Sequence, residues 1–249
     1  MAATSILLQP GSPAGNTRIR QLYPHVELFS EGDPPANSLF IQGRAKRAND
    51  DDQLLIVDPS LDAATRFRFE GRVAVIYTAE ALSVDLPLVH TVAGGVAHIR
   101  LGEHFVDIYS QKYCNVVVLP ALGIVCSGQF GSGHTLPLLA AGSDGSDELD
   151  ACLLLARLLK QHRLQLLIPH TGGLIDDKAI ALDHLATDVS YLHGLRRVIA
   201  PLAQQQESLD HVQALAATLI PRERATASAE SVHRANVTRL YRSCTPLPD

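Results

Sequence analysis

The sequence predicts a mixed α/β (α+β) fold in one domain, residues 1–249, with a helical C-terminal part over 178–245. Two observations predict the class. The first 145 residues carry short runs rich in Val, Ile and Phe, each bounded by Gly, Pro, Asp or Asn, whereas from residue 146 onward apolar residues recur at helical spacing. A third observation predicts the single domain: no internal repeat and no linker-like stretch divides the chain. Hydrophobic residues make up 46% and charged residues 19%, which suits a sizeable buried core and excludes a disordered chain.

The elements follow in order. Strands are expected at 38–42, 54–57, 73–77, 104–109, 115–119 and 123–126. The last two are separated by Pro120, Ala121 and Leu122, which predicts a hairpin, and the polar run 44–52 predicts an exposed turn between two others. Ser146, Asp147 and Glu148 read as a helix start, a capping hydroxyl with acids near the positive end of the dipole. Residues 164–168 form an apolar run, interrupted by Gln165 and stopped by Pro169, that reads as a buried strand. Leu182, Leu185, Val189, Leu192 and Ile199 mark one face of a second helix limited by Pro201. Leu209, Val212, Leu215 and Leu219 mark a third ending at Pro221, and 232–241 a fourth.

Composition excludes several classes of function. Lys plus Arg number 21 and Asp plus Glu 26, a formal charge of −5, the wrong sign for a dedicated nucleic-acid binder. The first fifteen residues have no basic segment and their apolar run stops after Leu8; no later run approaches the ~18 apolar residues of a membrane span. Cys114, Cys126, Cys152 and Cys244 are scattered, without a CxxC pair. A reduced, cytoplasmic protein is expected, with neither nucleic acid nor membrane as partner.

Eleven histidines invite a metal reading, but none forms His-x-His or a pair at i and i+4. Asp183–His184 and Asp210–His211 fall on amphipathic helices, where histidine ordinarily caps or solvates a face. The turn Gly128-Gln129-Phe130-Gly131-Ser132-Gly133-His134-Thr135 has the outline of a phosphate loop, but His134 stands where lysine would supply the charge on the phosphates. No G-x-S-x-G elbow occurs. Asp144, Asp147 and Glu148 could face a cation, although helix capping is their ordinary role.

The order of elements carries more than any one motif. Strand pairs with NSLFIQG and LLIVDPS are followed by YSQKYCNVVVL and LGIVCSGQF. A capped helix then leads to LLIPHTGG, a long helix containing YLHGLRRV, and HRANVTRLY. Over about 17–245 this order resembles the metallo-β-lactamase fold family, an αββα sandwich of two mixed sheets flanked by helices. The resemblance matches Asp58 to that family's strand-end aspartate. It matches Gln111-Lys112-Tyr113-Cys114 to a turn bearing a metal-ligating histidine, Gln129 to the bridging aspartate, and His170, offset by one residue, to the histidine of a Pro-Gly-His-Gly turn. The family's His-x-His-x-Asp-His unit is expected after Asp58, yet Val73 follows Pro59 by only fourteen positions, as if the unit were deleted or replaced by LDAATRFRFEGR.

These departures imply a fold whose dinuclear metal site and hydrolase activity are lost, with no cofactor. Gln111, Lys112, Gln129, His134 and His170, with Asp58 nearby, are then expected to line a cleft for a small polar or anionic ligand. Lys112 and the amides of the glycine turn would act as donors. The alternative is a hydrolase with one divalent metal, zinc or iron, held by His134 and His170 with Asp144 or Asp58. A homodimer covering an exposed apolar edge is a further expectation.

Overall fold

The computed structural model describes residues 17–44, 52–60, 71–78 and 88–245. Its strands form two five-stranded mixed sheets. The first runs β1 (Arg18–Tyr23), β2 (Val26–Glu31), β3 (Ala36–Gly43), β4 (Gln53–Val57) and β5 (Arg72–Ile76) in sequence order. Successive strands are antiparallel except for the parallel pair β4 and β5. The second runs β10 (Leu166–Pro169), β9 (Ile124–Gly128), β8 (Asn115–Leu119), β7 (His104–Ser110) and β6 (Val96–Leu101), again antiparallel except for its final pair, β9 and β10. Four α-helices follow β9: α1 (Ser146–Gln161), α2 (Lys178–Gln204), α3 (Leu209–Ala216) and α4 (Ala227–Cys244).

Alternation along each strand builds the layers. In β8, Val117 and Leu119 face the first sheet, where they meet Val26, Leu39, Ile41, Leu55, Val57 and Ile76. Val116 and Val118 face the opposite way, into a core shared with Leu155 and Leu159 of α1, Leu192 and Leu195 of α2, and Val237 and Leu240 of α4. The outer face of the first sheet is buried as well, through Phe29, Phe40, Leu54, Ile56, Val75 and Tyr77. The arrangement is the sandwich of two mixed sheets with helices that the sequence predicts.

Several boundaries move. β1, β2 and β6 lie outside the expected strands; β1 and β6 alternate weakly and are largely exposed, which hides them from a search for apolar runs. The buried strand at 164–168 starts later, at Leu166, and includes Pro169, whose missing N–H falls at the bulge where pairing with β9 shifts. α2 continues through Pro201 by about a turn, so the proline bends no boundary into place. α1 is not capped by its serine. Its N-cap is Gly145 in the left-handed region (φ 85°), and Asp144 accepts the Ser146 N–H at 3.0 Å. Glu148 is buried and turns away from the dipole, accepting the Ala140 N–H at 2.8 Å. Most of the expected turn at 44–52, and residues 61–70 of the segment standing for the missing metal unit, lie outside the described residues. Cys114, Cys126 and Cys152 are buried and Cys244 half-buried, all as free thiols. No helix among the described residues is long and apolar enough to cross a membrane.

A buried ion pair fastens the glycine turn to the helices. Arg224 is 1% and Asp188 0% exposed. The Arg224 guanidinium bonds Asp188 through Nη1, which also reaches the Thr135 carbonyl at 3.0 Å, while Nη2 donates to the His184 carbonyl at 2.9 Å. The other Asp188 oxygen accepts the Gly131 N–H at 2.6 Å. Burial pushes the Asp188 carboxyl up to about 6 against the pull of Arg224. Removing one partner leaves an uncompensated buried charge, so Arg224→Met is expected to lose about 3–5 kcal/mol in urea denaturation, and Arg224→Met with Asp188→Leu to lose less than the single variant.

Candidate functional site

The parallel pairs end at one edge of the sandwich. β4, β5, β9 and β10 all point their C-termini there, and β3 and β8 begin there because each is antiparallel to one of them. Two asparagines stitch the sheets together at this edge. Asn115, at the start of β8, donates its backbone N–H to the Thr78 carbonyl (3.1 Å) and Nδ2 to the Tyr77 carbonyl (2.7 Å). Its Oδ1 accepts from Ser110 Oγ at 2.7 Å. Asn37 of β3 donates its N–H to the His170 carbonyl (2.7 Å) and Nδ2 to the carbonyls of Pro169 (2.8 Å) and Gly172 (2.9 Å). Gly128 sits so close to this seam, at φ +63°, that a Cβ would fall 2.8 Å from the Thr78 carbonyl oxygen.

Asp58 occupies the seam itself. It is 5% exposed and holds a left-handed backbone, φ 52°. Oδ1 accepts the Thr78 N–H at 2.7 Å and Oδ2 accepts the Thr78 hydroxyl. His170 Nδ1 lies 3.7 Å from Oδ2, an ion-pair distance too long for a hydrogen bond, and this buried nitrogen has no hydrogen-bond partner among the described residues. The carboxylate of Asp58 raises the His170 imidazole above its ordinary range, against the opposing effect of burial. Asp58 and His170 therefore form a pair inside the seam.

Gln111, Lys112 and Gln129 face a different space. They line a cleft of about 520 Å³ between the turn before β8, the glycine turn after β9, and the segment 138–141. Arg239 of α4 closes its wall. The segment is held almost wholly by side chains from elsewhere. Gln129 Oε1 accepts the Leu138 N–H at 2.8 Å, and Asn236 accepts the Leu139 N–H and donates to the Pro137 carbonyl, each at 2.8 Å. Glu148 accepts the Ala140 N–H, and Arg239 Nη1 donates to the Leu139 carbonyl. Lys112 reaches out of the cleft to Asp147 at 3.3 Å and lies over the Tyr113 ring. Cys114 also lines the cleft, but burial pushes its thiol up to about 12 and leaves it unreactive.

His134 stands apart again. It is exposed, with its ring over Gly172 and Gly173, where the turn 131–134 packs on the turn after β10. Ser132 Oγ joins the two turns by donating to the Thr171 carbonyl at 2.8 Å. Asp144 is half-exposed, 3.4 Å from Arg196. The six sequence candidates are thus divided: Gln111, Lys112 and Gln129 share the cleft, Asp58 and His170 pair in the seam, and His134 covers a neighbouring turn. Among the described residues no three His, Cys, Asp or Glu side chains converge as a metal site would need.

Comparison with known proteins bears on this architecture. No protein-family model matches the chain, and no curated protein is significantly similar to it. Solved structures do match. The inverting sec-alkylsulfatase Pisa1 from Pseudomonas sp. superposes with TM-score 0.58 at 11% identity over 91% of this chain, and the chain spans 50% of its length. A β-lactamase domain protein from Burkholderia ambifaria superposes with TM-score 0.56 at 10% identity, over 90% of this chain and 86% of its own. The chain has the metallo-β-lactamase fold. The flavodiiron core Flv1 from Synechocystis sp. PCC6803 shares it at TM-score 0.50 and 11% identity, over 81% of this chain and 75% of its own.

Sequence reasoning missed Asn37, Asn115, Asn236 and Arg239. The last two had a signal. His233 and Asn236 interrupt the face of α4 that otherwise buries Ala229, Val237 and Leu240, with Arg239 half-buried one turn beyond Asn236, and polar residues on an apolar stripe need partners.

The Asp58–His170 pair makes a pH-dependent contribution. A histidine raised above its unfolded value of ~6.5 stabilises the fold fully below that pH, and the contribution is lost as pH rises through the folded value. Asp58→Asn is expected to lower the His170 pKa, read by NMR titration of its ring protons, and to cost more stability near pH ~6 than near pH ~8.

Proposed function

We propose that this metallo-β-lactamase-fold protein has lost the dinuclear metal site and the hydrolase activity of its fold relatives and acts as a ligand-binding protein, with the cleft of Gln111, Lys112, Gln129 and Arg239 as its site. One observation carries the reading. The two positions that resemblance assigns to a ligating histidine and a bridging aspartate hold Gln111 and Gln129, and both line a cleft whose described residues include Lys112 and Arg239 and no Asp or Glu. Neutral amides are weak ligands, and Gln129 already spends its carbonyl oxygen on Leu138. Lysine and arginine beside them repel a divalent cation. These residues do not fit a metal centre, and they suit a small polar or anionic ligand.

The second reading is a hydrolase with one zinc or iron outside the family geometry. It draws on His170 Nδ1, which lies beside Asp58 and has no hydrogen-bond partner among the described residues. Elemental analysis of protein purified without chelator separates the two. Zinc, iron and manganese each below about a tenth of an equivalent, with no turnover of ester or lactam substrates, is expected from the binding protein. A stoichiometric metal that disappears in His170→Ala would sink that reading. The expected homodimer has an exposed apolar region available, Val92, Val96 and Phe105 near the β6 edge, and light scattering at high concentration reports whether it forms.

A further inference from the structure

We infer that the ligand of this cleft is a monocarboxylate with a short apolar body, anchored by the guanidinium of Arg239. The inference rests on the ligand-binding reading and narrows it to one chemical class. Arg239 is half-buried in the wall of the cleft. Its Nη1 is engaged by the Leu139 carbonyl, which fixes the plane of the group. Nε and Nη2 make no hydrogen bond or ion pair among the described residues, and together they are the edge of arginine that receives both oxygens of a carboxylate. Gln129 lines the same cleft, and with its Oε1 taken by the Leu138 N–H its Nε2 is a further donor.

Charge selects the valence of the ligand. Lys112 and Arg239 are the cations among the described residues of the lining, but Lys112 is paired with Asp147 at 3.3 Å and is mostly exposed. Arg239 has no ion-pair partner among the described residues, and the Glu148 carboxylate lies behind the wall on the Ala140 N–H, so the site matches a single negative charge better than a phosphate dianion. Shape selects the remainder. Ala93, Tyr113, Leu138, Ala140 and Ala141 supply apolar surface around the donors. A volume of about 520 Å³ accommodates several carbon atoms beyond the carboxylate.

The test uses the full chain with hexanoate, its neutral counterpart hexanamide, and inorganic phosphate, followed by thermal shift and calorimetric titration. Hexanoate is expected to raise the melting temperature where hexanamide does not, and its affinity is expected to fall as NaCl rises from ~50 to ~500 mM. Arg239→Met, which keeps most of the apolar stem, is expected to weaken hexanoate binding about ten- to a hundred-fold, and Lys112→Gln to weaken it less. Equal binding of hexanoate and hexanamide, tighter binding of phosphate than of hexanoate, unchanged hexanoate affinity in Arg239→Met, or no binding of hexanoate each overturns the inference. Should Arg239→Met fail to fold, the hexanoate–hexanamide comparison on the unaltered protein decides alone. Binding of hexanamide as tight as hexanoate leaves the ligand-binding reading standing while removing the carboxylate. That reading falls separately, on metal content and hydrolysis.

Discussion

Everything near the cleft depends on the polar seam that joins the two sheets at one edge. Apolar contact between sheets is strong but non-directional, and by itself it does not fix how one sheet sits over the other. Asn37 and Asn115 supply direction. Each spends its backbone N–H and its side-chain amide on carbonyls of the opposite sheet. Asp58 adds the Thr78 amide and hydroxyl to the same line. The turns that begin or end at this edge, 110–115, 128–134 and 170–173, therefore inherit their positions from hydrogen bonds.

The wall of the cleft follows a similar logic one layer further out. The segment 137–140 belongs to no strand or helix, so its backbone groups need partners from elsewhere. Gln129, Glu148, Asn236 and Arg239 provide them from three places in the chain, the turn after β9, α1 and α4. Asn236 is itself held by the Tyr191 hydroxyl, which also contacts His233 at 3.1 Å. An irregular segment fastened this thoroughly keeps its shape without a ligand, and a preformed wall lowers the entropic cost of binding. Two of the four fastening residues, Gln129 and Arg239, also line the cleft.

The fold was legible because its signals are local. The NVVVL run of β8, buried on both faces, and the helical spacing of Leu185, Leu192 and Ile199 can each be read within a dozen residues. The hairpin at Pro120–Leu122 was legible for the same reason. The site was legible only in part. Gln111, Lys112 and Gln129 were found through strand order, and they do share a cleft. His134 and His170 were grouped with them because they too follow strands, but strand ends give no direction for a side chain. Asn37 and Asn115 carry no sequence signal, since an asparagine beside a strand usually marks a turn. Their role appears only when residues far apart in the chain are brought together.

That separation has a consequence for how the protein comes into being. Asn37 bonds Pro169 across 132 residues and Gly172 across 135. The first sheet is complete in sequence by Ile76, yet the partners that align it come later, Asn115 at the start of β8 and Pro169 and Gly172 at and after the end of β10. During synthesis its inner face, with Val26, Leu39, Ile41 and Leu55, must wait uncovered until the second sheet emerges. Contacts of such long range are slow to form and leave apolar strands exposed in the interval. The same bonds that hold the finished site thus close only after most of the chain has been made.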